Sequence, residues 1–545
     1  MHPQANMTSN PEPNRKPQEA SKIDGRPGQE VLESLRTNEV FVAIVGPAGA
    51  GSGTAAKILK TFLEESDFEV EIIKASALIR TVAESAGYPV PPTGSRKSID
   101  NVKVMQDRGD EIRKGHLYSR PEDHSAIARL ALKEIAARRA SLQGEAFSGD
   151  PVEPDGSHRA YIIDSLRHPA EVSILREVYQ DAFTLLGIVC DPAKREKRVR
   201  ENFFDRSQWS DQSVKHQVRD FLTRDEDAPE KHGQHVSDTF HESDFFVDNS
   251  VDAGEDLALT GMNDQLRRFV NLITQSKIVR PTISETAMHH ARSAQMRSAC
   301  LSRQVGAALV DANGNIVATG TNDVPQAGGG LYGEGFTVQL EGDQRCAFRD
   351  SVFCSSNREQ NKIIEELVDE FPELITGKNK SDVLKRIRGT RIGGLIEFSR
   401  AVHAEMDAIL SASISGTSPR GCRMYVTTYP CHYCARHIVA SGIDEVQFIE
   451  PYPKSKATEL HSDSITTESN DWRPPSQGGT HVLFRPFVGV APRLYRRVFL
   501  KDRSYKNKVT GDFEFGAPAW GRPTEVYKVS YSALESKLAL EVDNG

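Results

Sequence analysis

Apolar positions along this chain follow two rhythms. Short runs rich in β-branched residues, Val40–Val45, Glu69–Ile73, Ala160–Ile163 and Phe183–Val189, read as strands. Between them lie longer stretches whose apolar residues recur at helical spacing, such as Thr54–Leu63. Strands alternating with helices predict a doubly wound parallel sheet with helices on both faces. This first unit is expected to close with a helix over Leu266–Ile273. A second unit begins near Pro281, with a helix over Glu285–Cys300 and then two apolar runs, Val305–Val310 and Ile316–Thr319. The turn between these runs, Asp311-Ala-Asn-Gly314, is a hairpin signal. An insertion at about 326–394 is glycine-rich at its start, then charged and helical. After it the spacing predicts a helix over Phe398–Ser411, a strand over Arg423–Thr428 and a helix over Cys431–Ser441. Residues 1–38, dominated by Pro, Asn, Gln, Ser and charge, predict a disordered arm, and 141–158 an exposed loop. The expected division is therefore 1–38, 39–278 and 279–545.

Composition narrows the class. At about 150 residues per domain, 545 residues exceed one small core. A formal charge of −8 leaves no general electrostatic footprint for nucleic acid. No apolar run approaches the roughly 18 residues that span a bilayer, and the first residues do not resemble a signal peptide. Seven cysteines, an odd number in so long a chain, argue against a disulfide framework and for a reducing, cytoplasmic setting.

Two short motifs carry the chemistry. His403-Ala-Glu405 is followed 28 positions after the histidine by Cys431-His-Tyr-Cys434, with Pro430 at the start of the predicted helix. Two cysteines three residues apart in a first helical turn can face one ion, and the helix dipole favours their thiolates. One imidazole and two thiolates would leave the fourth position of a tetrahedral Zn²⁺ open, as in catalytic rather than structural sites. Glu405 need not be a ligand and can act as general acid and base. A lone CxxC would fit a structural zinc knuckle equally well, and it is the pairing with His403-Ala-Glu405 that selects catalysis. Together the two motifs match the signature of zinc nucleobase deaminases.

At these residues the second half resembles the cytidine/deoxycytidylate deaminase superfamily, and its deoxycytidylate branch above all. The resemblance runs through Ser302–Val310, Gly320-Thr-Asn322, His403–Ile409, Met424–Ala435, Ser441–Val446 and Tyr452–Leu460. It implies an α/β/α deaminase fold and hydrolytic replacement of the cytosine amine. It also implies a sugar or base contact from Asn322 and a substrate-side position for Tyr452. Asp407 departs from the asparagine usual in the family. Riboflavin-pathway deaminases fit poorly on cysteine spacing, whereas the metal ligands alone leave a tRNA adenosine deaminase open.

In the first half, Gly46-Pro-Ala-Gly-Ala-Gly-Ser-Gly-Thr54 resembles the adenylate-kinase form of the P-loop. Gly46, Gly49, Gly51, Gly53 and Thr54 are placed to wrap a phosphate with backbone N–H groups. Ser52 stands where the family has its phosphate-bridging lysine. Without that cation, nucleotide binding with or without Mg²⁺ is expected, but not phosphoryl transfer. Asp164, at the end of a predicted strand, reads either as a magnesium or base contact or as a polar strand terminus. The basic run Lys194–Arg200 reads as a solvated helix face, and Arg224 and Asp225 are ambiguous between a solvated and a lid position. The combination of a lysine-less P-loop with a deoxycytidylate-type deaminase is similar to the bacterial anti-phage deaminases of the AvcD/DcdV group. That resemblance implies conversion of dCMP and dCTP to dUMP and dUTP, a homo-oligomer such as a hexamer, and restraint by a small RNA. Cys346 and Cys354 are expected to be free thiols, and Cys190, Cys300 and Cys422 core residues.

Overall fold

A computed structural model describes residues 37–543 except 95–97, 117–120, 227–230, 251–255, 276, 334–343, 350, 378, 453, 470, 501–505 and 514–530. Almost all of the expected N-terminal arm, and part of the 326–394 insertion, lie outside the described residues.

The first sheet contains β1 (Glu39–Val45), β2 (Glu69–Lys74), β3 (Arg159–Asp164), β4 (Phe183–Val189) and β5 (Phe245–Asp248). They lie in the order β5-β4-β1-β3-β2 and pair in parallel throughout. Every residue of β1 and β4 is buried, as expected for central parallel strands covered on both faces. On one face Leu59 and Phe62 of helix Ser52–Glu64 meet Leu266 and Phe269 of helix Asp256–Ile273. On the other, Ala128, Leu132 and Ile135 of helix Ala126–Leu142 pack with Val172 and Leu175 of helix Pro169–Tyr179.

The second sheet contains β6 (Gly306–Val310), β7 (Ile316–Thr321), β8 (Arg423–Thr428), β9 (Glu445–Glu450), β10 (Ile465–Thr466) and β11 (Val482–Pro486), in the order β10-β11-β9-β8-β6-β7. The β6–β7 hairpin forms as its Asn-Gly turn predicts, β6 also runs antiparallel to β8, and the remaining pairs are parallel. Helices Ala404–Ile414 and His432–Ala440 cover one face and helix Ile283–Gln295 the other. The last of these ends earlier than the spacing predicts, and Ala299 and Cys300 lie in the loop beyond it. Gly320 sets the distance between β7 and helix Ala404–Ile414, because a Cβ there would collide with the backbone at Ala404 and Ala408.

The end of the chain does not follow the expected 279–545 boundary. Two residues beyond β11, β12 (Gly489–Val490) pairs antiparallel with β5, so the first sheet gains an edge strand from the second half. Val490 and Leu494 join the first core, and helix Tyr531–Asp543 packs against helix Ala126–Leu142. There Arg139, fully buried, donates to Glu39 at 2.7 Å and to Glu535 at 2.5 Å. Sequence periodicity reports local structure and is silent about such distant pairing. The segment Phe484–Arg493 is the crossover between the two sheets. Beside it, buried Glu285 accepts from Arg268 at 2.6 and 2.7 Å and from the Val490 N–H at 2.8 Å, joining both halves.

Candidate active site

His403 and Cys431 do not lie within helices as the spacing predicts; each is the residue capping one. His403 precedes helix Ala404–Ile414 with φ −77° and ψ 155°, and Cys431 precedes helix His432–Ala440 with φ −70° and ψ 164°. An extended cap turns its side chain across the start of the helix, so two helix N-termini converge on one point. Cys431 Sγ accepts the Cys434 N–H at 3.5 Å. The positive ends of both dipoles favour a thiolate at Cys431, whose hydrogen bond together with burial pushes the Cys434 thiol up.

The donor atoms of His403, Cys431 and Cys434 lie within 4.8 Å of one another. His403 Nδ1 is 3.4 Å from each sulfur. Zinc bonds of about 2.0 Å to nitrogen and 2.3 Å to sulfur at tetrahedral angles would place these atoms about 3.5 Å apart, so the residues fit the ion. The Cys434 thiol and the His403 imidazole hydrogen-bond to Cys431 and pull its thiol down to about 4. The same hydrogen bond to Cys431 pushes His403 up to about 9. Glu405, in the first turn and 4 % exposed, is not one of the three donors. Burial raises its carboxyl pKa, the direction a proton carrier at neutral pH requires.

His403, Glu405 and Cys431 open onto a cavity of about 610 Å³, which also includes Asn322 and Tyr452. Asn322 Oδ1 accepts from the Val305 N–H at 2.6 Å and its Nδ2 donates to the Arg303 carbonyl at 2.6 Å, so the side chain shapes the wall as well as lining it. Tyr452 is half-buried, and burial raises its hydroxyl pKa. Asp407 stands outside the cavity; its Oδ2 accepts the Thr321 N–H at 2.9 Å and ties the Glu405 helix to β7.

The insertion forms the opposite wall. Its helix Ser355–Glu370 brings Gln360 and Ser356 to the cavity, and the turn before it brings Cys346 and Cys354. Cys346 and Cys354 are free thiols, and Cys300 also lines the cavity instead of filling a core. Arg303, Arg400 and Lys454, outside the insertion, add positive charge to the cavity lining. Ser356 and Gln360 were not distinguishable in sequence from ordinary surface positions, since only the fold brings the insertion to this cavity.

Gly46, Gly49, Gly51, Ser52, Gly53 and Thr54 form the connection from β1 to helix Ser52–Glu64 and contribute nothing to this cavity. Gly51 takes the left-handed conformation, φ 95°, and Asn249, whose Nδ2 donates to the Ala50 carbonyl at 2.7 Å, leaves no room for a Cβ there. The Asp164 carboxylate, at the end of β3, faces Gly53. Asp225, left ambiguous by sequence, reaches the loop directly, its Oδ2 accepting the Ala48 N–H at 2.6 Å. The helix carrying Lys194–Arg200 is not a solvated face throughout, since Arg195 and Val199 are buried and the Arg195 backbone abuts Gly49. Among the described residues no helix is long and apolar enough to cross a membrane.

The profile of the family described as "Cytidine and deoxycytidylate deaminase zinc-binding region" matches residues 281–450. The deoxycytidylate deaminase of Enterobacteria phage T2 is 31% identical over 176 residues, 32% of this chain and 82% of that protein. The dCMP deaminase of cyanophage S-TIM5, solved with dCMP and dUMP, aligns over 38% of this chain and 98% of its own at 18% identity and a TM-score of 0.21. Shikimate kinase from Acinetobacter baumannii aligns over 45% of this chain and 99% of its own at 11% identity and a TM-score of 0.24. Scores this low add nothing to the fold reading, which rests on the strand orders above. With its His403, Cys431 and Cys434 donors and Glu405 inside the matched region, the chain belongs to the deoxycytidylate deaminase family.

Proposed function

We propose that this protein hydrolytically deaminates free deoxycytidine nucleotides, dCMP and dCTP, to dUMP and dUTP with release of ammonia. The observation that carries the proposal is the convergence of His403, Cys431 and Cys434 beside buried Glu405 at the floor of a nucleotide-sized cavity. His403, Cys431 and Cys434 would hold a zinc ion, which would supply a Lewis acid able to activate water. Glu405 takes a proton from the attacking water, delivers it to N3 of the cytosine ring, and then moves a proton to the departing amine. Asn322 and Tyr452 orient the base and sugar. Arg303, Arg400 and Lys454 face the phosphate end. The insertion, closing over the cavity, keeps bulk water from the ring.

The lysine-less glycine loop beside this deaminase favours a role in phage defence, draining the dCTP pool, with the first half holding a regulatory nucleotide. The same reading makes the protein a homo-oligomer restrained by a small RNA. A housekeeping dCMP deaminase with a regulatory domain is the alternative, and phage challenge of cells with and without the protein separates the two. The reaction itself is tested by ammonia release from dCMP, dCTP, single-stranded DNA and tRNA. Turnover of the free nucleotides is expected, and turnover confined to polymer overturns the proposal.

A further inference from the structure

The glycine loop of the first half already holds an anion, and that anion is part of the chain. Asp225, 2 % exposed in the last turn of helix Gln212–Glu226, accepts the Ala48 N–H at 2.6 Å. Arg167 Nη1 reaches both of its oxygens, at 2.7 and 2.9 Å, and Gln106 Nε2 lies 3.2 Å from Oδ1. A carboxylate that accepts from a backbone amide and a guanidinium together uses the contacts a phosphate oxygen would use. The neighbouring Glu226 pairs with Arg195. Arg195 is 6 % exposed, its backbone abuts Gly49, and its Nε and Nη1 have no hydrogen-bond partner among the described residues. Ala48 also packs against the cluster of Val199, Val214, Val218, Phe221 and Leu222, so both helices are seated on the loop.

We propose that Asp225 is an internal phosphate mimic that latches the glycine loop shut. A phosphate group enters only by displacing Asp225, and Arg167 then serves as the cation that Ser52 cannot supply. The Asp225–Arg167 pair beside the Ala48 N–H favours such an exchange, because the incoming group inherits both donors. The occupant is identified only by its chemistry, as a di- or triphosphate group. The proposal rests on reading the loop as a phosphate site, and the experiment separates the two.

Inorganic pyrophosphate is titrated calorimetrically into the full-length protein, its Asp225→Asn variant and the Asp225→Asn/Arg167→Ala double variant, each checked by thermal melting. The latch requires that Asp225→Asn tighten binding at least tenfold and that the double variant lose this gain. Equal affinity in the wild type and Asp225→Asn keeps the phosphate site and sinks the latch. No binding in either sinks both, and a gain that survives Arg167→Ala places the anion elsewhere and also overturns the proposal. Should the variants melt before they can be titrated, hydrogen exchange on the wild type decides. With pyrophosphate, residues 46–54 must gain protection while residues 218–226 lose it, and absence of this reciprocal change overturns the latch.

Discussion

The two halves each end a strand at the N-terminus of a helix, yet they use that place in opposite ways. In the second half, helices Ala404–Ile414 and His432–Ala440 aim their starts at one point and gather three donors, of which His403 and Cys431 face a cavity of about 610 Å³. In the first, the loop leading into helix Ser52–Glu64 is abutted at Gly49 by Arg195 and Val199, and Asp225 accepts the Ala48 N–H. A helix N-terminus supplies positive potential in both places. The difference lies in what occupies the approach to it: ligating side chains beside a cavity, or a loop whose Ala48 N–H is already held by a carboxylate from the same chain. A glycine-rich loop therefore marks backbone geometry, and whether it is open to a ligand is decided by distant side chains.

The sharpest way to break the comparison is at the open site. Cys434→Ala removes one of three donors; zinc content by elemental analysis should fall to background and ammonia release by more than about 10⁴-fold. Retained metal with full turnover would mean that the three donors do not share an ion. Glu405→Gln should retain zinc while turnover drops about 10²- to 10⁴-fold, the usual worth of a positioned proton carrier. The joint between the halves comes next. Glu285→Ala strands the Arg268 guanidinium and the Val490 N–H, and should cost about 3–5 kcal/mol in denaturant unfolding, with the two halves melting apart.

A smaller effect belongs to the closed site. Burial raises Asp110, on the helix that also carries Gln106, from 3.8 to about 6. The folded state therefore favours the protonated acid. Stability is full below pH 3.8, falls as pH rises from there through about 6, and is constant above. Asp110→Asn should be neutral near pH 3.5 and gain up to about 3 kcal/mol at pH 7, read from unfolding curves at the two values. The smallest effect is expected from Ser52→Lys. Restoring the absent lysine while Asp225 still accepts from Ala48 should change pyrophosphate affinity less than about twofold, since the new ammonium meets a loop already neutralised. A large gain would show that the lysine alone kept the loop from binding.

Much of this was readable from local pattern. The strands from β1 to β4 and the β6–β7 hairpin announce themselves through apolar runs and an Asn-Gly turn, because burial on both faces or a tight reversal restricts which residues fit. His403, Glu405, Cys431 and Cys434 were identifiable because metal chemistry tolerates few residue types and because each short motif keeps its own members within one turn of chain. Asn322 and Tyr452 also reach the cavity expected of them, though much of Asn322 is engaged with backbone.

Other features arise only from long-range packing. His403 and Cys431 are helix caps rather than helix residues, a distinction set by φ and ψ and not by composition. That β12 completes the first sheet, that Glu535 meets Arg139, that the insertion walls the metal cavity, and that Asp225 closes the glycine loop are pairings between residues up to 396 positions apart. Periodicity and motif spacing register forces acting within a turn or two of chain. Which distant carboxylate reaches a given amide depends on how whole helices seat against a core, and that is settled only when the chain has folded.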